Sequence, residues 1–163
     1  MQSRIAALAM MVVLALAPAG FAGGNKSNKA SVTFHMETAG TDNPKMIFSQ
    51  QMANGQERFF LRSPEISISD IATFQPFPSE SGQDYGVVFT LKPAAVTKLA
   101  AITNTNPGKW MVVQMNGRLV DGVMIDKQID DGRLVVWQGV TLSDITVLES
   151  KMKRTGEDGK KKD

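Results

Sequence analysis

The chain has 163 residues, a formal net charge of +2 and no cysteine. A chain of this length suits one domain with its own hydrophobic core. Without cysteine it has no disulfide and no thiolate metal site, so its stability must come from packing. The small net charge and the position of the basic residues, which are concentrated at the C-terminus, lead us to expect no nucleic-acid partner.

The N-terminus has the pattern of a secretory signal peptide. A basic start containing Arg4 precedes an uninterrupted apolar run from Ile5 to Ala17, and small residues lead to a cleavage site after Ala22, with Ala19 as the alternative. The apolar run is shorter than the roughly 20 residues that span a bilayer, so a retained membrane anchor is the weaker interpretation. We therefore expect an exported protein, in a bacterial periplasm or outside the cell, with no stable membrane span after cleavage.

The rest of the chain divides into three predicted parts. Residues 23–30 indicate a flexible leader, residues 31–150 a single domain, and residues 151–163 a charged, disordered tail. The tail holds six basic and three acidic side chains, so it accounts for the basic isoelectric point. Solvation of this tail is the ordinary interpretation, and weak contact with an anionic surface is the alternative.

The first half of the domain is predicted to consist mainly of strands. Val32 to Met36 alternate apolar and polar side chains, which indicates a half-buried strand with His35 on the solvent-facing side. Asn54-Gly55 lies between two apolar stretches and predicts a hairpin. Residues 85–91 are predicted to form a further strand.

A second hairpin, around Asn116-Gly117, is the central element of the prediction. These two residues best tolerate the positive φ angles of a type I′ turn, so they predict a tight connection between two strands. Counting outward from the turn pairs Val113 with Val120. Residues 133–139 predict a third strand adjacent to this hairpin.

Two helices accompany the strands. Pro93 suits the first turn of a helix that ends at residues 106–108. Thr141 can cap a second helix, and Asp144 in its first turn complements the positive end of the helix dipole. We therefore predict an α+β fold, an antiparallel β-sheet with two main helices on one face. The element order from Tyr85 onward predicts a ferredoxin-like, split βαβ arrangement in the C-terminal half.

The motifs of the C-terminal half are similar to those of a known family. A strand ends in Phe89-Thr90-Leu91, Gly108-Lys109 precedes the next strand, Asn116-Gly117 forms the turn, and Thr141 opens the last helix. Over residues 86–149 this pattern resembles the head subdomain of the first periplasmic domain of SecD and SecDF, membrane proteins that assist protein export. The resemblance implies a binding module, since that head is regarded as contacting emerging polypeptide.

The chain also departs from that family. Residues 121–124 stand where the family usually has a small residue and a proline, and the sequence lacks the family's transmembrane helices. Because proton-coupled work is thought to depend on those helices, we expect no SecD-type motor activity.

The candidate partner-binding surface consists of Trp110, Trp137, Arg118 and Asp121. The tryptophans are predicted to lie on adjacent strands, where a shared exposed face would form a stacking or peptide-docking platform. Packing of both in the core is the alternative. These features predict an exported, non-enzymatic module that binds polypeptide or an envelope protein through its sheet or hairpin edges, with a link to export.

Two other functions stay open. His35 is the single histidine, and there is no Gly-x-Ser-x-Gly motif or glycine-rich phosphate loop, so we predict no catalytic, cofactor-binding or metal-binding residue. A small secreted hydrolase would have to use carboxylates among residues 121–131, where turn chemistry is the ordinary interpretation: Asp121, Asp126, Asp130 and Asp131. A structural envelope protein that uses its basic tail is the third hypothesis.

Overall fold

The computed structural model describes residues 30–157. The predicted signal peptide, residues 1–22, and all of the predicted leader except Ala30 lie outside the described residues. Within the described range the chain forms ten strands, one 3₁₀ turn at Ile68–Asp70 and two α-helices: β1 (Val32–Thr38), β2 (Ile47–Gln51), β3 (Glu57–Leu61), β4 (Ile66–Ser67), β5 (Ile71–Pro78), β6 (Tyr85–Leu91), α1 (Pro93–Thr105), β7 (Trp110–Met115), β8 (Arg118–Met124), β9 (Arg133–Val140), α2 (Leu142–Glu149) and β10 (Lys153–Arg154).

The strands form two sheets. The first has the order β2-β3-β1-β7-β8, with β4 also paired to β1, and the second has the order β10-β5-β6-β9. The neighbours in both sheets are antiparallel, apart from the parallel pair β10 and β5. Together with the two helices this confirms the predicted α+β fold class.

Strand β9 is not paired with the β7–β8 hairpin in one sheet, and this part of the prediction is wrong. β9 pairs with β6 at the edge of the second sheet, whereas β7 lies between β1 and β8 in the first. Three consecutive side chains of β7, Met111 to Val113, are buried. A strand with both faces covered takes a central position, and its second partner came from the distant β1 rather than from the next strand in sequence.

One hydrophobic cluster joins the two sheets and the two helices. Phe34 of β1 and Phe89 of β6 meet edge to face, with ring centroids 6.0 Å apart and planes at 88°. Leu99 of α1 and Leu148 of α2 are buried in the same cluster. Because each of these side chains comes from a different element, the two sheets and the helices share their core.

The predicted helices and their caps are confirmed. α1 carries Pro93 in its first turn. At α2, the hydroxyl of Thr141 accepts a hydrogen bond from the Asp144 amide at 3.2 Å, and the Asp144 carboxylate accepts one from the Thr141 amide at 3.0 Å. This reciprocal pair is a capping box. Among the described residues, no helix is long and apolar enough to cross a membrane.

The central hairpin has the predicted turn but a different register. Asn116 and Gly117 have φ angles of 52° and 78°, as a type I′ turn requires. The register then shifts by one residue, so Val113 lies opposite Asp121 and not opposite Val120. This β-bulge was not predicted, because counting from a turn assumes a regular ladder.

His35 is buried, which corrects the predicted solvent-facing position. It is 5% exposed, and its ring packs edge-on against Phe48 of β2 at a centroid distance of 5.4 Å. Nδ1 donates to the Leu61 carbonyl at 2.8 Å, since a carbonyl only accepts, and Nε2 accepts from the Thr33 hydroxyl at 2.9 Å. The prediction is wrong because the β2–β3 hairpin covers the face of β1 that the alternating pattern predicts to be exposed to solvent.

The predicted tail also begins too early. Lys153 and Arg154, which composition placed in a disordered segment from residue 151 to 163, form β10 beside β5. The Arg154 guanidinium also binds the carboxylate of Glu149 at the end of α2, with its Nε 2.8 Å from Oε1. Charge content favours disorder, but here the open edge of β5 supplies backbone partners. Residues 158–163 lie outside the described range.

Candidate functional site

The two sheets meet where β8 passes β9. The Arg118 guanidinium donates two hydrogen bonds of 3.1 Å to the Gly139 carbonyl, and the Trp137 amide donates to Asp121 Oδ2 at 2.8 Å. A Cβ on Gly139 would lie 2.6 Å from the Val120 carbonyl oxygen, so the two backbones are in contact there. This junction brings together three of the four predicted surface residues.

Strand β9 has a bulge at this junction. Trp137 to Gly139 lie opposite the single residue Gly86 of β6. The Trp137 amide points away from β6 and binds Asp121, and the Gly139 amide binds Asp84 at 2.8 Å. The two carboxylates thus satisfy two backbone amides at the bulge that do not pair with β6.

Arg118 also joins the hairpin to α2. Its guanidinium lies 2.7 Å from Asp144 Oδ2, and the Asn116 side-chain amide donates to Asp144 Oδ1 at 2.8 Å. Burial acts to raise the pKa of Asp144, but hydrogen bonds from Thr141 and Asn116 and the charge of Arg118 outweigh burial and lower that pKa below its usual value. Arg118 therefore serves the internal structure as well as presenting a half-exposed side chain.

Trp110 lies apart from this junction. It belongs to β7 of the first sheet, whereas Trp137 belongs to β9 of the second, so the prediction of adjacent strands is wrong. The Arg58 guanidinium lies over the Trp110 ring, 5.6 Å from its centroid. The Glu37 carboxylate accepts a hydrogen bond from the Trp110 amide at 2.8 Å and forms an ion pair with Arg58 at 2.6 Å. Trp110 is thus held within the first sheet by an ion pair.

Trp137 is exposed on the outer face of the second sheet. It is 61% exposed, and its ring meets Phe77 edge to face at a centroid distance of 6.2 Å. Val88 and Val135 are paired across β6 and β9 and alternate with the buried side chains, so they lie on the same outer face. We call these four residues the Trp137 patch. Trp137 is exposed and the other three are half-buried, and an apolar patch of this kind on the outer face of a sheet marks an interaction site.

A groove opens beside the Trp137 patch, between the diverging strands β8 and β9. It has a volume of about 650 Å³. Val123 of the first sheet and Val135 of the second form its apolar sides, the buried Met111 and Val113 lie at its base, and residues 126–131 form the rim. We call this the β8–β9 groove. Its volume and apolar lining are those of a ligand-binding cleft.

The rim of the groove carries charged side chains of both signs. Asp131 accepts a hydrogen bond from the Arg133 amide at 3.0 Å, which is turn chemistry. Within residues 30–157, the acidic side chains of the rim form no ion pair: Asp126, Asp130 and Asp131. In the same range, no group of three or more His, Cys, Asp or Glu side chains is arranged to hold a metal ion.

Sequence reasoning missed the β8–β9 groove and three members of the Trp137 patch: Phe77, Val88 and Val135. A signal for two of them was present, because Val88 and Val135 lie on the outer face of strands whose inner face is core. An apolar residue at an outward position of such a strand is the unusual observation. The groove itself depends on how the two sheets diverge, which no local pattern contains.

No protein-family model matches the chain, and no curated protein matches it. Two solved structures of SecDF do match. One, described as the structure and function of a membrane component SecDF that enhances protein export, aligns with a TM-score of 0.53 and 17% identity over 74% of this chain and 61% of that chain. The other, SecDF in a super-membrane-facing form, aligns with a TM-score of 0.50 and 19% identity over 74% of this chain and 17% of that chain.

These alignments confirm the resemblance to a SecD/SecDF periplasmic domain that the C-terminal motifs predicted. They extend it beyond residues 86–149, because 74% of the chain is covered. At identities below 20%, what the chain shares with SecDF is the fold. The chain spans less than two thirds of the length of either matched SecDF chain.

Proposed function

We propose that this protein is an exported, non-enzymatic module that binds polypeptide, or a protein partner of the cell envelope, in an export-related setting. The observation that carries the proposal is the position of the β8–β9 groove beside the Trp137 patch. A concave apolar site and an exposed tryptophan adjoin along one strand edge. Polypeptide offers the apolar side chains and backbone groups that such a surface binds.

The fold supports the export-related setting. The matched structures belong to a protein described as enhancing protein export, and the N-terminal sequence has the signal-peptide pattern. The two alternative functions have no comparable support. Asp121 and Asp131 each accept a backbone amide, and the basic end of the tail lies outside the described residues.

The test of this proposal uses Trp137→Ala. Tryptophans at the centre of interfaces commonly contribute 2 kcal/mol or more, so we expect affinity for a bound peptide to fall by about 30-fold. An array of immobilised ten-residue peptides would identify binders, and fluorescence anisotropy would give the dissociation constants for wild type and variant. Because the side chain is exposed, the free energy of unfolding should change by less than about 0.5 kcal/mol.

Met46→Ala is the matched control. Met46 is also a large exposed apolar residue, 53% exposed, but it directly precedes β2 at the far edge of the first sheet. It should leave peptide affinity unchanged. Failure of the wild-type protein to bind any peptide, or equal loss in both variants, would contradict the proposal.

A further inference from the structure

The free edge of β9 faces the β8–β9 groove. The amides of Arg133 and Trp137 point away from β6, since they donate to Asp131 and Asp121. The Gly132 carbonyl, in contrast, accepts the Leu91 amide on the β6 side at 2.8 Å. Because alternate residues of a strand direct their backbone groups to the same side, the amide and carbonyl of Val135 also point away from β6.

Within residues 30–157, side chains cover both ends of this edge and leave its middle open. The carboxylate of Asp121 accepts a hydrogen bond from the amide of residue 137, and that of Asp131 accepts one from the amide of residue 133. Proteins commonly protect an edge strand with charged side chains of this kind. Val135 lies between the two carboxylates and lines the β8–β9 groove. The unprotected backbone therefore coincides with the apolar cleft.

We propose that an extended segment of a partner polypeptide adds to β9 as a strand at Val135, and that this segment has an apolar centre flanked by lysine or arginine. The inference rests on the proposed function and specifies how that site binds and which sequences it prefers. Main-chain hydrogen bonds to the Val135 edge supply affinity, and pockets on both sides supply selectivity.

The apolar centre follows from what lies on the two sides of the edge. Successive side chains of an extended peptide point in opposite directions. One set would contact the groove beside Val123, and the other would contact the Trp137 patch. Both surfaces are apolar, so the central residues of the bound segment are apolar on both sides.

The flanking basic residues follow from the charge of the groove lining, in which three carboxylates, Asp126, Asp130 and Asp131, outnumber two cations, Lys127 and Arg133. Asp126 and Asp130 form no ion pair within the described part of the chain, and they line the same groove. A cationic side chain next to the apolar centre would complement them. The chain's own residues 158–163, Asp-Gly-Lys-Lys-Lys-Asp, carry the charge but no apolar side chain, so they do not fit the groove.

The experiment compares a parent peptide with two N-methylated versions. The parent is acetyl-Lys-Lys-Val-Leu-Val-Lys-Lys-amide, and each version is methylated on one alternate set of backbone nitrogens. N-methylation removes hydrogen-bond donors and keeps the side chains. Strand addition predicts that at least one version binds about 30-fold more weakly to the full chain, whereas equal binding of all three peptides would overturn it.

Variants of β9 provide the reciprocal measurement. Val135→Pro removes the outward amide, and an edge strand tolerates proline where its N–H does not join the ladder. We expect this variant to bind the parent peptide more weakly, by a factor similar to that of N-methylation. Val135→Thr keeps the amide and the branched shape, so it should bind within about threefold of wild type. Unchanged binding by a folded Val135→Pro protein would overturn the proposal, and the peptide comparison decides the matter if that variant does not fold.

The outcomes separate this inference from the proposed function. If the three peptides bind equally and Trp137→Ala loses affinity for them, the proposal of peptide binding stands and the proposal of strand addition is wrong. Absence of any peptide binding would remove both. A wild-type dimer that Val135→Pro dissociates and the parent peptide does not would assign the edge to a second copy of the chain, and would overturn the proposal. Replacing the four lysines of the peptide by glutamate should weaken binding by about tenfold at low salt.

Discussion

At the scale of single residues, His35 lies where β1 changes its pairing partner. One part of β1 pairs with β4, where Phe34 lies opposite Ile66, and the other pairs with β3, where Glu37 lies opposite Phe60. The imidazole lies between these two partners and binds the Leu61 carbonyl. Burial lowers the pKa of His35, and the hydrogen bond to Leu61 only partly opposes that effect.

This environment predicts a pH dependence. Since the folded-state pKa of His35 lies below the ordinary histidine value of 6.5, the unfolded chain takes up its proton first as the pH falls. The contribution of neutral His35 is fully present above pH 6.5 and is lost as the pH falls from there through the folded-state pKa. Urea unfolding at several values between pH 7.5 and 5 should show this decline in wild type.

His35→Gln is the comparison for that measurement. Glutamine keeps a donor and an acceptor but does not titrate, so the variant should lack the histidine component of the slope. It should also be less stable at pH 7.5, by about 1 to 3 kcal/mol, because a buried hydrogen-bonded group is replaced. Equal slopes in the two proteins would show that other groups cause the acid sensitivity.

At the scale of elements, two bulges bring β8 and β9 together. The extra residue of β8 places the Val120 carbonyl next to Gly139, and the β9 bulge is closed by Asp84 and Asp121. Hydrogen bonds from Ser79 and from the Gly139 amide lower the pKa of Asp84, which keeps this acceptor ionised. Bulges of this kind end regular pairing and redirect a strand. Here they allow the two edges to touch at one end and diverge into the groove.

Gly139→Ala tests that contact. Gly139 has a φ of 82°, and its substituent would meet the Val120 carbonyl at 2.6 Å. Gly82→Ala is the matched control, because Gly82 also has a positive φ of 67° but nothing within 4 Å of the added carbon. Both variants should lose about 1 to 2 kcal/mol from backbone strain. Gly139→Ala should lose at least about 2 kcal/mol more, measured by urea unfolding, and equal losses would contradict the close approach.

At the scale of the whole molecule, the shared core couples the two sheets. Phe34 and Phe89 come from different sheets and meet at 6.0 Å, and both helices bury side chains in the same cluster. Val32 pairs with Met115, so the first strand is held by residues far along the chain. Domains in which such contacts dominate unfold in one cooperative transition.

Each sheet contains one tryptophan, which allows a direct test. Trp110→Phe leaves Trp137 to report on the second sheet, and Trp137→Phe leaves Trp110 to report on the first. In each variant, unfolding is followed by tryptophan fluorescence and by far-UV circular dichroism. A change in overall stability shifts both signals together, so the two should give the same unfolding midpoint. A fluorescence midpoint that departs from the dichroism midpoint would indicate that one sheet unfolds separately.

The sequence by itself determined the features that depend on a few neighbouring residues. The Asn116-Gly117 turn, the Thr141 cap and the helix beginning at Pro93 were predictable because φ preferences and capping hydrogen bonds operate within one turn of chain. The order of these elements was also sufficient to predict the α+β class and the resemblance to SecD and SecDF.

Only the tertiary structure decided which surfaces face each other. The partner of β9, the burial of His35 and the separation of Trp110 from Trp137 each depend on segments distant in sequence. The β8–β9 groove exists because two sheet edges make contact through bulges and then diverge, and its apolar lining comes from both sheets. Alternation within a strand specifies two faces, but the packing of the whole chain selects what covers each one.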